Sequence, residues 1–149
     1  GHSENRKKGE NNKLINLKIK SALKAKLKVI FCIGETLSEK RKKITNKILT
    51  KQITNGLKSV KDTSNVIIAY EPVWSIGTGL IPKTNDLLNS ISFIKNKFRK
   101  KTPKVLYGGS VNSKNITQLK DISIIDGFLI GGASQSPKKF IDIIKKTFN

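Results

Sequence analysis

The chain has 149 residues, a length that suits one compact domain with a hydrophobic core and is too short for two. Its formal net charge is +20, but nearly all of the positive charge is lysine scattered through every segment, which favours solvated helix faces over a nucleic-acid site. The single cysteine, Cys32, excludes an internal disulfide framework, and no apolar run reaches the ~20 residues that cross a bilayer. We therefore expect a soluble cytoplasmic protein without a nucleic-acid or membrane partner.

Apolar runs of strand length alternate along the chain with longer segments of helical periodicity. This alternation predicts repeated βα units and an α/β fold with a parallel sheet. The runs are β-branched or aromatic and mostly apolar on both faces, which is typical of strands that are buried on both sides. The predicted strands are residues 28–33, 66–70, 104–107 and 125–130.

Helices are predicted before the first strand and after the first, second and fourth strands. Residues 12–27 have an amphipathic pattern, and a capping box at residues 36–39 begins the next helix. Ser136 and Pro137 give the last helix an N-cap and a first-turn proline. The residues expected on the apolar side are, helix by helix, Ile15, Ile19 and Leu23; Ile44, Ile48, Ile53 and Leu57; Leu87, Ile91, Ile94 and Phe98; and Phe140, Ile141, Ile144 and Phe148.

Glycines cluster directly after three of the predicted strands, at residues 77–79, 108–110 and 131–134. Loops at the carboxyl ends of parallel strands are where α/β folds bind ligands. Glycine allows the backbone N–H groups to approach a phosphate closely, and a following helix N-terminus favours negative charge. The repeated pattern therefore predicts a site for an anionic ligand at one edge of the sheet.

A glutamate, Glu71, stands at the end of the second predicted strand, directly before Pro72. Its carboxylate is expected at the same edge of the sheet as the glycine loops, where it could act as a base beside a bound phosphate ester. An exposed glutamate at a strand end is otherwise an ordinary surface residue. The neighbouring sequence favours the functional interpretation.

Residues 69–79, Ala-Tyr-Glu-Pro-Val-Trp-Ser-Ile-Gly-Thr-Gly, resemble the catalytic segment and mobile lid of the triose-phosphate isomerase family. Four further segments resemble this family in the same order: residues 2–4, 32–35, 107–111 and 126–134. The resemblance extends over the whole chain. It implies a fold that is a partial TIM (β/α)8 barrel, with about the last four βα units.

The resemblance also implies a role for each matched residue. Glu71 is the base that moves a proton between two neighbouring carbons of a small phosphorylated triose, and His2 polarises the substrate's carbonyl oxygens. Pro72, Val73 and Trp74 form the leading hinge of the lid, and Tyr107 latches the closed lid together with Ser110. The backbone donors to the substrate phosphate are Gly77, Ser110, Gly131 and Gly132. No metal or organic cofactor is implied.

For the whole protein, the resemblance implies a homodimeric enzyme of glycolysis and gluconeogenesis. Residues 1–149 are expected to be a single C-terminal portion of the barrel, because the chain starts inside a family motif at Gly1 and His2. No residue matches the family's lysine of the first strand. We therefore expect the isolated chain to be impaired in activity.

Two other interpretations remain open at this stage. A non-catalytic half-barrel that binds phosphate would need only the glycine loops, and the unmatched lysine favours it. A basic nucleic-acid binder is favoured by the net charge alone. A nucleophilic role for Cys32 is disfavoured, because this cysteine lies inside an apolar strand without a histidine nearby in sequence.

Overall fold

The computed structural model of the chain describes residues 1–98 and 101–148. Four parallel strands form one sheet in the order β1-β2-β3-β4, which confirms the predicted α/β class. Because all strands run in the same direction, their carboxyl ends lie at one edge of the sheet. The strands are β1 Val29–Ile33, β2 Val66–Tyr70, β3 Val105–Tyr107 and β4 Gly127–Phe128.

Helices precede the first strand and follow each of the four strands. They are α1 Ser3–Lys7, α2 Asn12–Lys24, α3 Leu37–Arg41, α4 Thr45–Gly56, α5 Thr84–Lys95, α6 Ile116–Lys120 and α7 Pro137–Phe148, with a 3-10 turn at Gly132–Gln135. The two central strands and the helices that cover them form the core, where Ile68, Val105, Leu49, Leu87 and Ile91 are fully buried. Each such side chain stabilises the fold by about 1.5–3 kcal/mol through burial.

The prediction of one helix after the capping box is wrong, since the structure contains two helices there. The capping box itself is present, with the Thr36 hydroxyl accepting from the Glu39 backbone N–H and the Glu39 carboxylate accepting from the Thr36 backbone N–H. The first helix ends at Arg41, and Lys43 takes a left-handed conformation with φ +55° before α4 begins. The turn changes the register, so that α4 buries Leu49 and Ile53 while Ile48 is only half-buried.

The two outer strands and the last helix are less buried than their sequences predict. In β1 the Ile30 side chain is 48% exposed, and β4 is limited to Gly127–Phe128, shorter than the predicted residues 125–130. The last helix buries Ile143, whereas the predicted apolar stripe of Phe140, Ile141, Ile144 and Phe148 is exposed. Both strands pair on one side only within the described residues, which leaves these apolar groups without a covering layer.

The apolar content of the helices is spread over short amphipathic segments. Among residues 1–98 and 101–148, no helix has the length and apolar character that a membrane crossing requires.

Candidate active site

Glu71 leaves the carboxyl end of β2 with its side chain turned into the protein, where the residue is 2% exposed. Its backbone N–H donates to the Ile33 carbonyl at 2.7 Å, so the position is fixed by an extension of the pairing between β1 and β2. Its Oε2 accepts from the Ser3 backbone N–H at 3.3 Å, and its Oε1 lies 3.5 Å from His2 Nε2. The structure therefore brings together the two residues that were predicted to carry out the proton chemistry.

His2 is the N-cap of α1, and this position determines which ring nitrogen carries the proton. Its Nδ1 accepts from the Glu4 backbone N–H at 3.4 Å, so that Nδ1 must present its lone pair. In a neutral imidazole the proton is then on Nε2, the nitrogen that faces Glu71. A neutral ring held in this way can donate a hydrogen bond from Nε2 to a substrate oxygen.

Burial raises the pKa of Glu71 above its usual range, and the nearby His2 and the Ser3 backbone N–H offset part of this effect. A carboxylate taken out of water holds a proton more strongly than one in solvent. At neutral pH this makes Glu71 a better proton acceptor from carbon than an ordinary surface glutamate.

Cys32 is a neutral thiol beside this carboxylate. Burial, followed by the neighbouring Glu71, raises the pKa of Cys32 to about 12. The thiolate is the reactive form of cysteine, so a thiol with such a pKa is a poor nucleophile at neutral pH. The structure supports the interpretation of Cys32 as a packing residue.

The segment that follows Glu71, residues 72–79, is the predicted lid, and its leading part is anchored to Glu35, two residues after β1. The Val73 backbone N–H donates to the Glu35 carbonyl at 2.9 Å, and Trp74 Nε1 donates to Glu35 Oε1 at 2.9 Å. Lys40 Nζ lies 3.8 Å from the centroid of the Trp74 ring, a cation–π distance. The turn itself depends on Gly77 at φ +71°, a left-handed conformation that favours glycine.

The glycine loops occupy the edge of the sheet that Glu71 faces. Gly108 follows β3 so closely against Glu71 that an added Cβ would lie 2.9 Å from Glu71 Cγ. The Ser110 backbone N–H points to the lid and donates to Ser75 Oγ at 3.2 Å. The remaining predicted phosphate donors, Gly77, Gly131 and Gly132, are exposed, and a Cβ added at any of them would have no atom within 4 Å.

Three residues of this region were not predicted from the sequence. Ser3 supplies the backbone donor to Glu71, Glu35 holds Trp74, and Ser75 connects the lid to the loop after β3. All three lie in segments that resemble the family, residues 2–4, 32–35 and 69–79, which is the available sequence signal for them. The contacts of Ser3 and Ser75 join residues far apart in the chain, and no local pattern indicates them.

Potential metal ligands are dispersed in this region. Within the part of the chain that the structure describes, no three His, Cys, Asp or Glu side chains are grouped as a metal ion would require. The groups that the structure brings together at this edge of the sheet are Glu71, His2 and backbone N–H donors.

Comparison with known proteins agrees with the family that the sequence resembles. The family model described as triosephosphate isomerase matches residues 1–147. Proteins named triosephosphate isomerase from Thermodesulfovibrio yellowstonii and Zygosaccharomyces bailii are 44% and 46% identical over 97% of the chain. The chain spans 62% and 61% of the length of these two relatives.

A solved structure agrees with the sequence comparisons. The crystal structure of triosephosphate isomerase from Bartonella henselae superimposes with a TM-score of 0.88 and 32% identity. The similarity covers all of this chain and 62% of that chain. The predicted partial (β/α)8 barrel is thereby confirmed. With a family model matching almost its full length, the chain belongs to the triosephosphate isomerase family.

Proposed function

We propose that this chain is the single C-terminal portion, residues 1–149, of a triose-phosphate isomerase that interconverts D-glyceraldehyde 3-phosphate and dihydroxyacetone phosphate. The observation that carries the proposal is the buried Glu71 carboxylate 3.5 Å from His2 Nε2, at the edge of the sheet that holds the glycine loops. A base and a hydrogen-bond donor at that separation suit proton transfer next to a carbonyl group.

Glu71 takes the proton from the carbon beside the substrate carbonyl. The C–H electron pair forms a carbon–carbon double bond, and the carbonyl π electrons move to the oxygen, which gives an enediolate. His2 donates from Nε2 to the oxygen that gains charge, where a fixed donor lowers the barrier most. Protonated Glu71 then returns the proton to the neighbouring carbon. The hydroxyl proton on the first oxygen moves to the enediolate oxygen through His2 Nε2, so that the carbonyl group re-forms at the other carbon and the base is regenerated.

The substrate phosphate is bound by backbone N–H groups of Gly77, Ser110, Gly131 and Gly132. Gly77 belongs to the lid, so a phosphate bound there draws the lid toward the loops after β3 and β4. Pro72, Val73 and Trp74 form the hinge of this movement, and Tyr107 latches the closed lid. Closure excludes water, which strengthens the electrostatic interactions and prevents loss of phosphate from the enediolate.

The chain spans about three-fifths of its relatives' length, so we assign full activity to the chain combined with the upstream βα units of a complete barrel. The complete enzyme is proposed to be a cytoplasmic homodimer that acts in glycolysis and gluconeogenesis. Its substrate is a small phosphorylated triose, and the proposed chemistry uses no cofactor.

The test is the isomerisation of D-glyceraldehyde 3-phosphate by the chain, alone and combined with the upstream units of the Thermodesulfovibrio yellowstonii relative. We expect turnover from the combined protein and little from the chain alone. Glu71→Asp withdraws the carboxylate by one methylene and should lower kcat by roughly a hundredfold with little change in KM.

The matched control is Asp121→Asn, which removes an exposed carboxylate on α6's C-terminal side and should leave kcat unchanged. Turnover by the combined protein that survives Glu71→Gln would contradict the assignment of the base. Binding of the triose phosphate without any turnover would favour the non-catalytic half-barrel.

A further inference from the structure

Ser75 lies inside the lid, yet it is fully buried, with 0% exposure. Its Oγ lies 2.6 Å from the Leu80 carbonyl, 2.9 Å from the Tyr107 hydroxyl and 3.2 Å from the Ser110 backbone nitrogen. A serine hydroxyl has one proton to donate and two lone pairs to accept. A carbonyl can only accept, so the Ser75 proton goes to Leu80, and Tyr107 must donate to Ser75 together with the Ser110 N–H.

This arrangement uses the full hydrogen-bonding capacity of one hydroxyl to connect three segments. Ser75 lies in the lid and Leu80 directly follows the lid, whereas Tyr107 is the last residue of β3 and Ser110 lies in the loop after β3. The space between them is closed, because a Cβ added at Gly109 would overlap the Tyr107 hydroxyl and lie 2.6 Å from Ser75 Oγ. The Ser75 hydroxyl is therefore closely packed between Tyr107 and the loop after β3.

The Ser110 N–H is also one of the proposed donors to the substrate phosphate. In the structure its acceptor is the neutral oxygen of Ser75. An anionic phosphate oxygen is the stronger acceptor, since charge-assisted hydrogen bonds are roughly twice as strong as neutral ones. A phosphate that takes this N–H must displace the Ser75 hydroxyl.

We propose that Ser75 is a positioning residue that occupies the Ser110 amide in the free protein, and that phosphate binding displaces the Ser75 hydroxyl and so frees the lid to close over the ligand. The inference rests on the proposed function, because it requires phosphate at Ser110. Loss of this contact frees the lid from the position in which the Ser75 hydroxyl holds it, so that a phosphate bound at Gly77 and Ser110 can draw the lid closed. Phosphate binding and lid movement are thus coupled through one hydroxyl group.

The test is a titration of the chain with inorganic phosphate, followed by NMR at the Ser110 amide. All four proposed phosphate donors lie in this chain, so no further segment is needed. Ser75→Ala removes the competing acceptor and should tighten phosphate binding about fivefold, the equivalent of one neutral hydrogen bond. A purely structural role for Ser75 predicts weaker binding instead, so the direction of the change separates the two.

The matched control is Ser90→Ala, which removes the hydroxyl of another buried serine that contacts Tyr70 and not the lid. It should leave the dissociation constant unchanged. A second measurement uses the unaltered chain, so that it does not depend on folding of the variant. In this chain the NMR chemical shift of the Ile81 amide, which reports on the Leu80 carbonyl, should change over the same range of phosphate concentration as that of the Ser110 amide.

Equal or weaker phosphate binding by a folded Ser75→Ala variant would overturn this inference and leave the proposed function in place. Independent saturation of the Ser110 and Ile81 signals would overturn it in the same way. Absence of phosphate binding in every form would overturn both the inference and the proposed phosphate site.

Discussion

At the scale of single residues, Glu35 is a carboxylate held almost entirely out of water, with 1% exposure. Trp74 Nε1 donates to its Oε1 at 2.9 Å, and the Tyr70 hydroxyl donates to its Oε2 at 3.1 Å. Burial raises the pKa of Glu35, and these two hydrogen bonds offset part of the increase. The charged form of Glu35 is therefore a cost to the folded state at neutral pH.

We predict that the free energy of unfolding of the Glu35→Gln variant increases relative to that of the unaltered chain as the pH rises. Because the pKa of Glu35 is higher in the folded than in the unfolded state, the protonated form of Glu35 favours folding. This contribution to stability is complete below the unfolded pKa of about 4.3. This contribution is lost as the pH rises through the raised folded pKa, and above that pKa it stays constant. Urea unfolding of both proteins between pH 4 and pH 8, followed by circular dichroism, measures the difference.

Glutamine can keep the contacts, since its carbonyl accepts from Trp74 and its amide donates to the Tyr70 hydroxyl, which in turn reaches Ser90 Oγ at 3.3 Å. Glu39→Gln is the control, because glutamine also serves in a capping box and this side chain is in contact with solvent. A difference between Glu35→Gln and the unaltered chain that is independent of pH, or that shrinks as pH rises, would refute the prediction.

The sequence predicted Glu71 and His2 because both lie in segments that resemble a known family, and Glu71 also stands at a strand end beside glycine loops. It did not predict the tasks of Glu35 or Ser75. Their partners are distant in the chain, since Trp74 lies 39 positions after Glu35 and Tyr107 lies 32 positions after Ser75. Such contacts depend on how the strands are placed side by side, which local patterns do not encode.

At the scale of elements, α2 and α3 end in the same way, with a lysine in the left-handed region. After α2, the Leu27 N–H donates to the Ala22 carbonyl at 3.0 Å and the Lys26 N–H donates to the Leu23 carbonyl at 3.0 Å. Lys26 has φ +59° and Lys43, after α3, has φ +55°. This is the Schellman motif, in which glycine is the usual residue at the left-handed position.

We predict that Lys26→Gly and Lys43→Gly each stabilise the chain, by about 0.5–1 kcal/mol. The left-handed conformation costs a residue with a Cβ roughly 1–2 kcal/mol, and glycine avoids this cost but loses more backbone entropy on folding. Both lysine side chains are exposed, so little packing is lost. Thermal or urea unfolding gives the change in the free energy of unfolding.

Lys20→Gly is the matched control, because Lys20 is exposed in the interior of α2. There glycine should destabilise the chain by about 1 kcal/mol. Opposite signs at Lys20 and Lys26 would establish that the backbone conformation causes the effect, and equal signs would contradict the prediction.

The same turn explains why one predicted helix is two. Residues 42–43 are lysines, without a glycine or proline to mark a break, and the apolar spacing continues through them. Periodicity therefore predicted a single helix from the capping box onward. The four parallel strands and the α2, α5 and α7 helices were predicted because their apolar patterns are uninterrupted and their ends carry recognisable signals.

At the scale of the whole molecule, the sheet has two edges and the last helix has an apolar face that is exposed. Ile30 on β1 is 48% exposed, and Ile141 and Ile144 on α7 are 50% and 41% exposed. The sequence predicted burial at these positions because apolar side chains recur there with regular spacing. Such spacing indicates only that a residue is suited to a buried site. Whether another layer covers that site depends on the surrounding structure.

Two opposing forces act between copies of this chain. Exposed apolar groups on α7 and along β1 favour association, because association removes them from water. The formal net charge of +20 opposes it through repulsion between the copies. Salt screens this repulsion, since the Debye length falls from about 30 Å at 0.01 M to about 8 Å at 0.15 M.

We therefore predict that the isolated chain self-associates more strongly as salt is added, as measured by sedimentation velocity. Ile141→Lys with Ile144→Lys should reduce association at every salt concentration and change stability little, because both side chains are exposed. Thr54→Lys with Asn55→Lys adds the same charge to exposed positions of α4 without removing an apolar group. If both pairs reduce association equally, charge alone controls it. If salt instead disperses the assemblies, a bound polyanion holds them together, as the nucleic-acid interpretation would require.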